Sequence, residues 1–241
     1  MVSIIVDRIV IEYPIYSGNA MSLRNRLVEI GTGGKLARTA HNVLTVRALD
    51  EVSFKVDVGD RIGLVGHNGS GKSTLLRTLA GIYHPSSGAV VVEGGIVTIF
   101  QLGAGLDREL SGYENIVRMS MILGATRREA EALIPEIEDF TELGDFLSIP
   151  VHTYSAGMLT RLTFAIATAR QPDILLIDEV IGAGDAGFQE KARARLEALI
   201  GRAKILVLAS HSQDMIELFC NRQLRFEHGR LVEDIRLPVE G

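Results

Sequence analysis

The sequence predicts an α/β fold, in which a core of alternating strands and helices carries a β-rich amino-terminal region and an inserted helical lobe. Strand and helix patterns alternate from residue 61 to about residue 100, and they alternate again after Gln171-Pro172. Between these stretches, residues 111 to about 170 show helical patterns only. Residues 3–13 alternate apolar and polar side chains, which indicates a half-buried strand at the front of the chain.

The composition is that of a globular chain with a full core, since 46% of the 241 residues are hydrophobic and 23% are charged. The formal net charge of -5 argues against nucleic acid as a main partner, because nucleic-acid binding normally uses a basic surface. The single cysteine, Cys220, excludes an intramolecular disulfide. The amino-terminal residues lack the basic leader of a signal peptide, and no apolar run reaches the roughly 18 residues that a membrane helix requires.

The first half of the chain predicts further elements in a regular order. After the first strand come a helix at residues 20–31, a β region at 46–60, a short strand at 61–65, a helix at 72–83 and two strands within 88–101. The helix at 20–31 is indicated by Leu23, Leu27 and Ile30 at helical spacing, with Ser22 as a candidate cap.

The second half begins with helices and returns to the α/β pattern. Two helix starts fit a capping box, one from Ser111 to Glu114 and one from Thr126 to Glu129. The remaining predicted elements are a strand at 174–178, a helix from about Phe188, a strand at 204–210, a helix at 212–220 and a hairpin that turns near His228-Gly229.

A Gly-rich loop between a strand and a helix carries the first chemical signal. Its sequence, GHNGSGKST, matches the phosphate-loop pattern G-x-x-x-x-G-K-[ST] in the required strand–loop–helix context. Glycines allow backbone N–H groups to turn towards one anion, the lysine reaches the β- and γ-phosphates, and the following hydroxyl binds Mg²⁺. The residues expected to bind nucleotide here are Gly66, His67, Asn68, Gly69, Ser70, Gly71, Lys72, Ser73 and Thr74.

The second signal is a buried strand that ends in two carboxylates, Asp178 and Glu179. The carboxyl ends of parallel strands border the ligand crevice in α/β sheets, so both side chains are expected near the phosphates. Adjacent carboxylates repel each other unless a cation or separate roles intervene. We expect Asp178 to bind Mg²⁺ through water and Glu179 to polarise the attacking water.

Together these motifs resemble the nucleotide-binding subunit of an ATP-binding cassette transporter, over nearly the whole chain. Gln101 stands in the place of the Q-loop glutamine, and Tyr154–Met158 in the place of the LSGGQ signature. Gly182–Asp185 occupies the D-loop place, and His211 follows the next strand as the switch histidine does. The resemblance implies a P-loop NTPase (RecA-like) core with an antiparallel β subdomain, formed by residues 1–101 and 171–241, and an inserted α-helical subdomain at 102–170.

The resemblance also implies roles for individual residues. Glu179, His211, Gln101 and Lys72 are the expected catalytic residues, and Ser73, Gln101 and Asp178 the expected metal ligands, with ATP and Mg²⁺ as cofactors. In the family's head-to-tail homodimer the signature closes over the γ-phosphate held by the opposite subunit, which assigns that contact to Ser155 and Gly157. Tyr13 is the expected adenine-stacking aromatic, and Tyr16 is the alternative.

The departures from the general pattern point to a subfamily. Ala156 and Met158 in the signature, Val180 after the carboxylates and the stretch from Gln101 to Ile116 resemble the exporters of O-antigen, capsule and teichoic acid. This resemblance implies a polytopic permease in two copies, at the cytoplasmic face of the bacterial inner membrane. Residues 20–31 are an expected gate helix beside that permease, and the chain length leaves no room for a carboxyl-terminal glycan-binding domain.

Three alternatives remain open at this point. The chain could serve another transporter class, such as a lipid or small-molecule exporter or an importer. It could be a soluble cassette protein of DNA repair or translation, although its acidic balance and its helical insertion of only about sixty residues disfavour that class. A non-enzymatic nucleotide sensor is disfavoured because Lys72, Asp178, Glu179 and His211 are all intact.

Overall fold

The computed structural model describes residues 1–15, 36–38, 44–100, 103–178 and 186–238. The chain divides into two compact units. The first unit combines residues 1–94 with residues 205–241, and the second unit covers residues 95–204. The predicted helical lobe, residues 102–170, lies inside the second unit.

The first unit contains an antiparallel sheet whose strand order is β2-β3-β1-β5. Its strands are β1 (Ser3–Ile15), β2 (Leu36–Arg38), β3 (Leu44–Asp57) and β5 (Ser87–Glu93). The inward side chains of β1 and β3, among them Ile4, Ile9, Leu49 and Val56, are fully buried. The alternating pattern of residues 3–13 therefore correctly predicted a strand with one buried face.

The first unit also contains the parallel strands β4 (Arg61–Val65), β8 (Ile205–Ala209) and β9 (Arg222–Glu227), with β4 in the middle. Every residue of β8 is buried, as expected for a strand covered on both faces. Because the three strands are parallel, their carboxyl ends lie at one edge of the sheet. That edge carries the segments that follow Val65, Ala209 and Glu227.

Two helices follow strands of this sheet. Helix α1 (Lys72–Leu79) follows β4, and helix α7 (Gln213–Phe219) follows β8. The sequence pattern predicted α1 as far as residue 83, but the helix ends earlier. Gly81 adopts a φ of 74°, and the N–H of Ile82 donates to the carbonyl of Arg77, which closes a Schellman motif and stops the helix.

The carboxyl-terminal strands form the expected hairpin. Strand β10 (Arg230–Arg236) pairs antiparallel with β9, and the turn is made by His228 and Gly229. Their φ angles of 51° and 84° identify a type I′ turn, the tight hairpin turn that matches the twist of the flanking strands.

The second unit is mostly helical, as the sequence indicated. Strand β6 (Ile96–Ile99) pairs in parallel with β7 (Ile174–Asp178). The helices are α2 (Gly112–Ile122), α3 (Arg127–Ala132), α4 (Ile134–Thr141), α5 (Ala156–Thr168) and α6 (Ala186–Arg202), with 3-10 turns at Gly144–Ser148 and Val151–Thr153. Both predicted capping boxes are confirmed, because Ser111 and Glu114, and likewise Thr126 and Glu129, bond reciprocally.

An aromatic cluster forms the core of the second unit. Phe140 stands 5.5 Å from Phe188 and 6.1 Å from Phe164, measured between ring centroids. The guanidinium of Arg195 lies 4.3 Å from the centroid of Phe140 and so covers the outer face of the cluster. These contacts hold α4, α5 and α6 together. Within the described parts of the chain, no helix combines the length and the apolar character needed to cross a bilayer.

Candidate active site

The phosphate loop of the first unit occupies the position that the sequence predicts. It leaves the carboxyl end of β4 at Val65 and enters α1 at Lys72. Gly71 is the N-cap in a left-handed conformation, with a φ of 117°, and the first turn of α1 contains no acidic residue. The positive end of the helix dipole therefore faces the loop without a carboxylate on its own first turn to neutralise it, as an anion site requires.

Two loop glycines are required by space as well as by conformation. A Cβ atom on Gly66 would lie 2.2 Å from the carbonyl oxygen of Phe226, and one on Gly71 would lie 2.8 Å from Leu49 Cδ2. Both glycines also have positive φ angles. Gly69 has a φ of 74° but open space around it, so its requirement is conformational only.

Lys72 is the cation of the loop. Its side chain is largely buried, and its ammonium donates to the carbonyl of Gly66 at 2.7 Å and to that of His67 at 3.3 Å. The hydroxyl oxygen of Ser70 is buried and has no hydrogen-bond partner among the described residues. A bridging lysine, an uncapped helix start and an orphaned hydroxyl fit a polyphosphate, which accepts hydrogen bonds from all three.

Ser73 and Thr74 continue the loop into the first turn of α1, where both are half-buried. Thr74 hydrogen-bonds with the side chain of Tyr13 on β1. Partial burial raises the pKa of the Tyr13 hydroxyl, and its hydrogen bond with Tyr83 acts in the same direction. Tyr13 therefore lies beside the phosphate loop, whereas the alternative, Tyr16, lies outside the described residues.

His211 follows β8 at the same edge of the sheet as the phosphate loop. Strands β4 and β8 are parallel neighbours, with Leu64 opposite Ala209, so the residues that follow both strands emerge together. The imidazole of His211 is exposed. Next to it, Ser212 caps α7 by accepting a hydrogen bond from the N–H of Met215. The strand end and the cap fix the backbone on either side of the histidine.

In the second unit, Asp178 is the last residue of β7 and is half-buried, after four fully buried residues. The strand thus delivers its carboxylate to the carboxyl edge of the β6–β7 pair, as the sequence predicted. Gln101, Glu179, Val180 and the D-loop segment 182–185 lie outside the described residues. Among the described residues, no group of three or more His, Cys, Asp or Glu side chains could hold a metal ion.

The signature segment begins α5. Ser155 is its N-cap and accepts a hydrogen bond from the N–H of Met158 at 3.2 Å. Gly157 lies in the first turn, and a Cβ atom there would meet only the hydroxyl of Ser155, at 3.8 Å. Tyr154 is buried and donates its hydroxyl to the carbonyl of Phe146, which anchors the segment. Among the described residues, packing therefore does not require a glycine at this position.

Two features of the site were not predicted from the sequence. Tyr83 packs edge-on against Tyr13, and the His228–Gly229 turn packs against the phosphate loop. An aromatic residue shortly after α1 and a turn signal were both visible in the sequence. Neither signal identified its partner, because the contacts join segments that are distant along the chain.

Comparisons with known proteins identify similar chains across the full length. Residues 49–182 match the family model described as ABC transporter. The chain is 54% identical over 234 residues to the O-antigen export system ATP-binding protein RfbE of Yersinia enterocolitica, an alignment that covers 97% of this chain and 98% of the relative. It is 37% identical to the teichoic acids export ATP-binding protein TagH of Staphylococcus epidermidis, over 96% of this chain and 84% of that relative.

Solved structures share the fold. The ATP-binding cassette MJ0796, in a dimeric post-hydrolysis state bound to ADP and Pi, matches with a TM-score of 0.69 at 19% identity, over 98% of this chain and 99% of that chain. A structure described as the ATP binding subunit of an ABC transporter matches with a TM-score of 0.68 at 23% identity, over 98% of this chain and 90% of that one. The predicted fold class, a P-loop NTPase core with β and helical additions, is therefore confirmed.

Proposed function

This chain belongs to the ABC transporter family, and on that premise we propose that it is the ATP-hydrolysing subunit of an exporter of cell-surface polysaccharide. The phosphate loop carries the ATPase part of the proposal, because Lys72, the glycines and the start of α1 form a complete polyphosphate cradle. The 54% identity to an O-antigen export protein over 97% of the chain supports the polysaccharide part.

Nucleotide binding follows from the cradle. On binding, the ammonium of Lys72 exchanges its two carbonyl acceptors for the β- and γ-phosphate oxygens, which carry a full negative charge. The loop N–H groups donate hydrogen bonds, and the helix dipole adds positive potential. Neither has to reorganise on binding, so the loop is preorganised for the triphosphate. The hydroxyl of Ser70 gains an acceptor that the described structure does not otherwise give it.

Hydrolysis requires few groups, because phosphoryl transfer is promoted by positioning and charge stabilisation. Bound Mg²⁺ would neutralise phosphate charge, and we propose Ser73, Gln101 and Asp178 as the residues that would hold it, directly or through water. Glu179 orients the attacking water and accepts its proton. His211 contacts the γ-phosphate from the edge that it shares with the loop.

The adenine base lies against Tyr13 in this proposal. The ring of Tyr13 packs edge-on against that of Tyr83, 5.5 Å away between centroids, and its hydroxyl interacts with Thr74 in the first turn of α1. An aromatic face in that position can stack on the base while Lys72 holds the phosphates. Stacking tolerates any base in principle, so the ring contributes affinity more than selectivity.

The signature acts in trans in a homodimer of this chain. Ser155 and Gly157 begin α5, where the helix dipole and the N–H groups of the first turn favour an anion. We propose that this helix start binds the γ-phosphate held by the phosphate loop of the partner subunit. Two ATP molecules would then lie between two copies of the chain.

The permease docks on the second unit in this proposal. A groove between α2 and α3 is lined by apolar side chains, and two of them, Met121 and Ile122, are 45% and 59% exposed. Charged side chains, among them Arg118 and Glu131, also line it. An amphipathic helix of a membrane subunit fits a groove that combines apolar and charged side chains. The chain would then lie peripherally at the cytoplasmic face of the membrane, with two copies serving two permease subunits.

The test is complementation of a strain that lacks this gene. Wild-type protein should restore surface polysaccharide, and Lys72→Ala should not, so that undelivered glycan accumulates inside the cell. Purified Lys72→Ala protein should also lose ATP binding. A strain that displays normal surface glycan without this chain would overturn the export proposal, and unchanged ATP affinity in Lys72→Ala would overturn the nucleotide site.

A further inference from the structure

The hairpin turn of the first unit is bonded directly to the phosphate loop. The N–H of Gly229 donates to the carbonyl oxygen of Ser70 at 2.9 Å. The carbonyl oxygen of Gly229 accepts from the N–H of Asp50, also at 2.9 Å. One turn residue therefore joins the loop to strand β3 through its own two backbone groups.

The backbones at this junction are in van der Waals contact. A Cβ atom on Gly229 would lie 2.7 Å from the carbonyl oxygen of Ala48, and one on Gly71 would lie 2.9 Å from the same oxygen. A Cβ atom on Gly66 would lie 2.2 Å from the carbonyl oxygen of Phe226, the last buried residue of β9. Three glycines thus allow the loop, the turn and β3 to approach closer than side chains would permit.

Side chains also contribute contacts between the turn, the phosphate loop and β3. The rings of His67 and His228 are in contact, with centroids 5.0 Å apart and ring planes inclined at 55°. Beyond the turn, Arg230 donates to Asp50 at 2.6 and 2.7 Å, which fixes the first residue of β10 to β3. His67, the first variable residue of the phosphate-loop motif, is therefore in ring contact with the turn. The motif itself does not require a histidine at this position.

We propose that the His228–Gly229 turn is a positioning element for the phosphate loop. The turn holds the Ser70 carbonyl and the His67 ring so that the intervening amides keep the orientation that a triphosphate needs. This inference rests on the proposed nucleotide site, which it deepens. Small displacements of a positioned group are costly to binding and catalysis, because preorganisation is what makes a loop amide an effective donor.

Two variants test the proposal in the full-length protein. Gly229→Ala places a methyl group against the Ala48 carbonyl at a positive φ, so the turn must shift and the bond to Ser70 is lost. His228→Asn keeps a residue that tolerates the left-handed conformation and removes only the ring contact with His67. We expect KM for ATP to rise roughly tenfold in Gly229→Ala, as for loss of a buried hydrogen bond, and about threefold in His228→Asn. The turnover number should change less than KM in both.

Glu233→Gln is the matched control. Glu233 pairs with Arg225 on the strands that flank the turn, and neither residue belongs to the turn or to the phosphate loop, so its replacement perturbs the hairpin while the turn residues are kept. His228→Asn and Glu233→Gln should unfold at similar temperatures without nucleotide, while only His228→Asn raises KM. The proposal is overturned if KM in His228→Asn equals that of wild type or of Glu233→Gln, and this variant decides the matter alone should Gly229→Ala not fold.

Lys72→Ala, measured in parallel, separates this inference from the function on which it rests. If Lys72→Ala loses ATP binding while both turn variants retain wild-type KM, the nucleotide site stands and the positioning role is wrong. If Lys72→Ala binds ATP normally, the nucleotide site itself is wrong.

Discussion

Tyr13 packs edge-on against Tyr83, with ring centroids 5.5 Å apart and ring planes inclined at 74°. Tyr13 belongs to β1 and Tyr83 follows α1, so the pair ties the antiparallel sheet to the helix that begins at the phosphate loop. In an edge-to-face pair the partner covers at most one face of a ring, so the opposite face stays available for stacking. The pair therefore orients the ring that we propose to stack on adenine.

Replacing Tyr83 should weaken ATP binding, and the loss should come only from the contact with the adenine base. Tyr83→Leu removes an aromatic pair worth about 0.5–1.5 kcal/mol, and we expect the Kd for ATP to rise about twofold to tenfold. Binding of inorganic tripolyphosphate, which has no base, should not change. Calorimetric titration with both ligands measures the difference. An equal loss for both ligands would show that Tyr83 supports the fold of the loop and not the base.

The signature should act on the partner's nucleotide and not on its own. Gly157→Asp should leave ATP binding to the monomer intact, since an acidic residue in the first turn of α5 is favourable to the helix. It should abolish ATP-dependent dimer closure, because the new carboxylate repels the γ-phosphate. Size-exclusion chromatography with light scattering, in the presence of ATP, reports the dimer.

Gly157→Ala is the matched control for that substitution. A Cβ atom at Gly157 has ordinary contact distances, so a methyl group fits within this chain. The alanine variant should therefore fold and bind ATP normally, and any loss of closure would come from the partner's side of the interface. Loss of monomer ATP binding in Gly157→Asp would contradict the assignment of this segment to the opposite subunit.

The apolar groove of the second unit should be needed for association with the permease. Met121→Glu places a charge among the residues that line the groove and should abolish co-purification with the membrane subunit, while the ATP affinity of the isolated chain stays unchanged. Leu218→Glu is the control, because Leu218 is an exposed apolar residue on α7 of the first unit, at 63% exposure against 45% for Met121. Normal co-purification of Met121→Glu would show that the groove is not part of the permease interface.

The stability of the first unit should depend on pH through Asp50. Burial acts to raise the pKa of Asp50, but hydrogen bonds from Arg230 and Arg47 outweigh it, and the pKa lies below the ordinary value of an aspartate. A carboxyl whose folded-state pKa is lowered stabilises the fold above the unfolded value, and that contribution is lost as pH falls through the folded pKa. Urea denaturation should therefore show the free energy of unfolding falling below about pH 4, with a shallower fall in Asp50→Asn. Equal slopes would exclude Asp50 as a contributor.

Much of the fold was predictable because local signals decided it. The capping boxes at Ser111 and Thr126, the turn at His228-Gly229 and the buried strand before Asp178 each depend on residues within a few positions of one another. The early end of α1 was missed because the apolar pattern continues to residue 83, whereas Gly81 favours the left-handed conformation that terminates a helix.

The motifs of the site were predictable from the sequence, but the contacts that hold these motifs in place were not. The phosphate loop is contiguous, so its residues could be read directly from the sequence. The sequence left Tyr13 and Tyr16 as alternatives for the adenine-stacking aromatic, and that role stays a prediction. The contacts of Tyr83 with Tyr13 and of Gly229 with Ser70 join segments about 70 and 159 positions apart. No single-sequence pattern specifies such pairs, because glycine and tyrosine have many structural uses.

The most direct measurement of the central claim is ATP turnover by the Glu179→Gln variant, purified with its membrane subunit. Glutamine keeps the size of the side chain but cannot accept a proton from water. We expect ATP binding to be retained, hydrolysis to be nearly abolished and a nucleotide-bound dimer to accumulate. Turnover near the wild-type rate would contradict the assignment of Glu179 and, with it, the proposed mechanism of ATP-driven export.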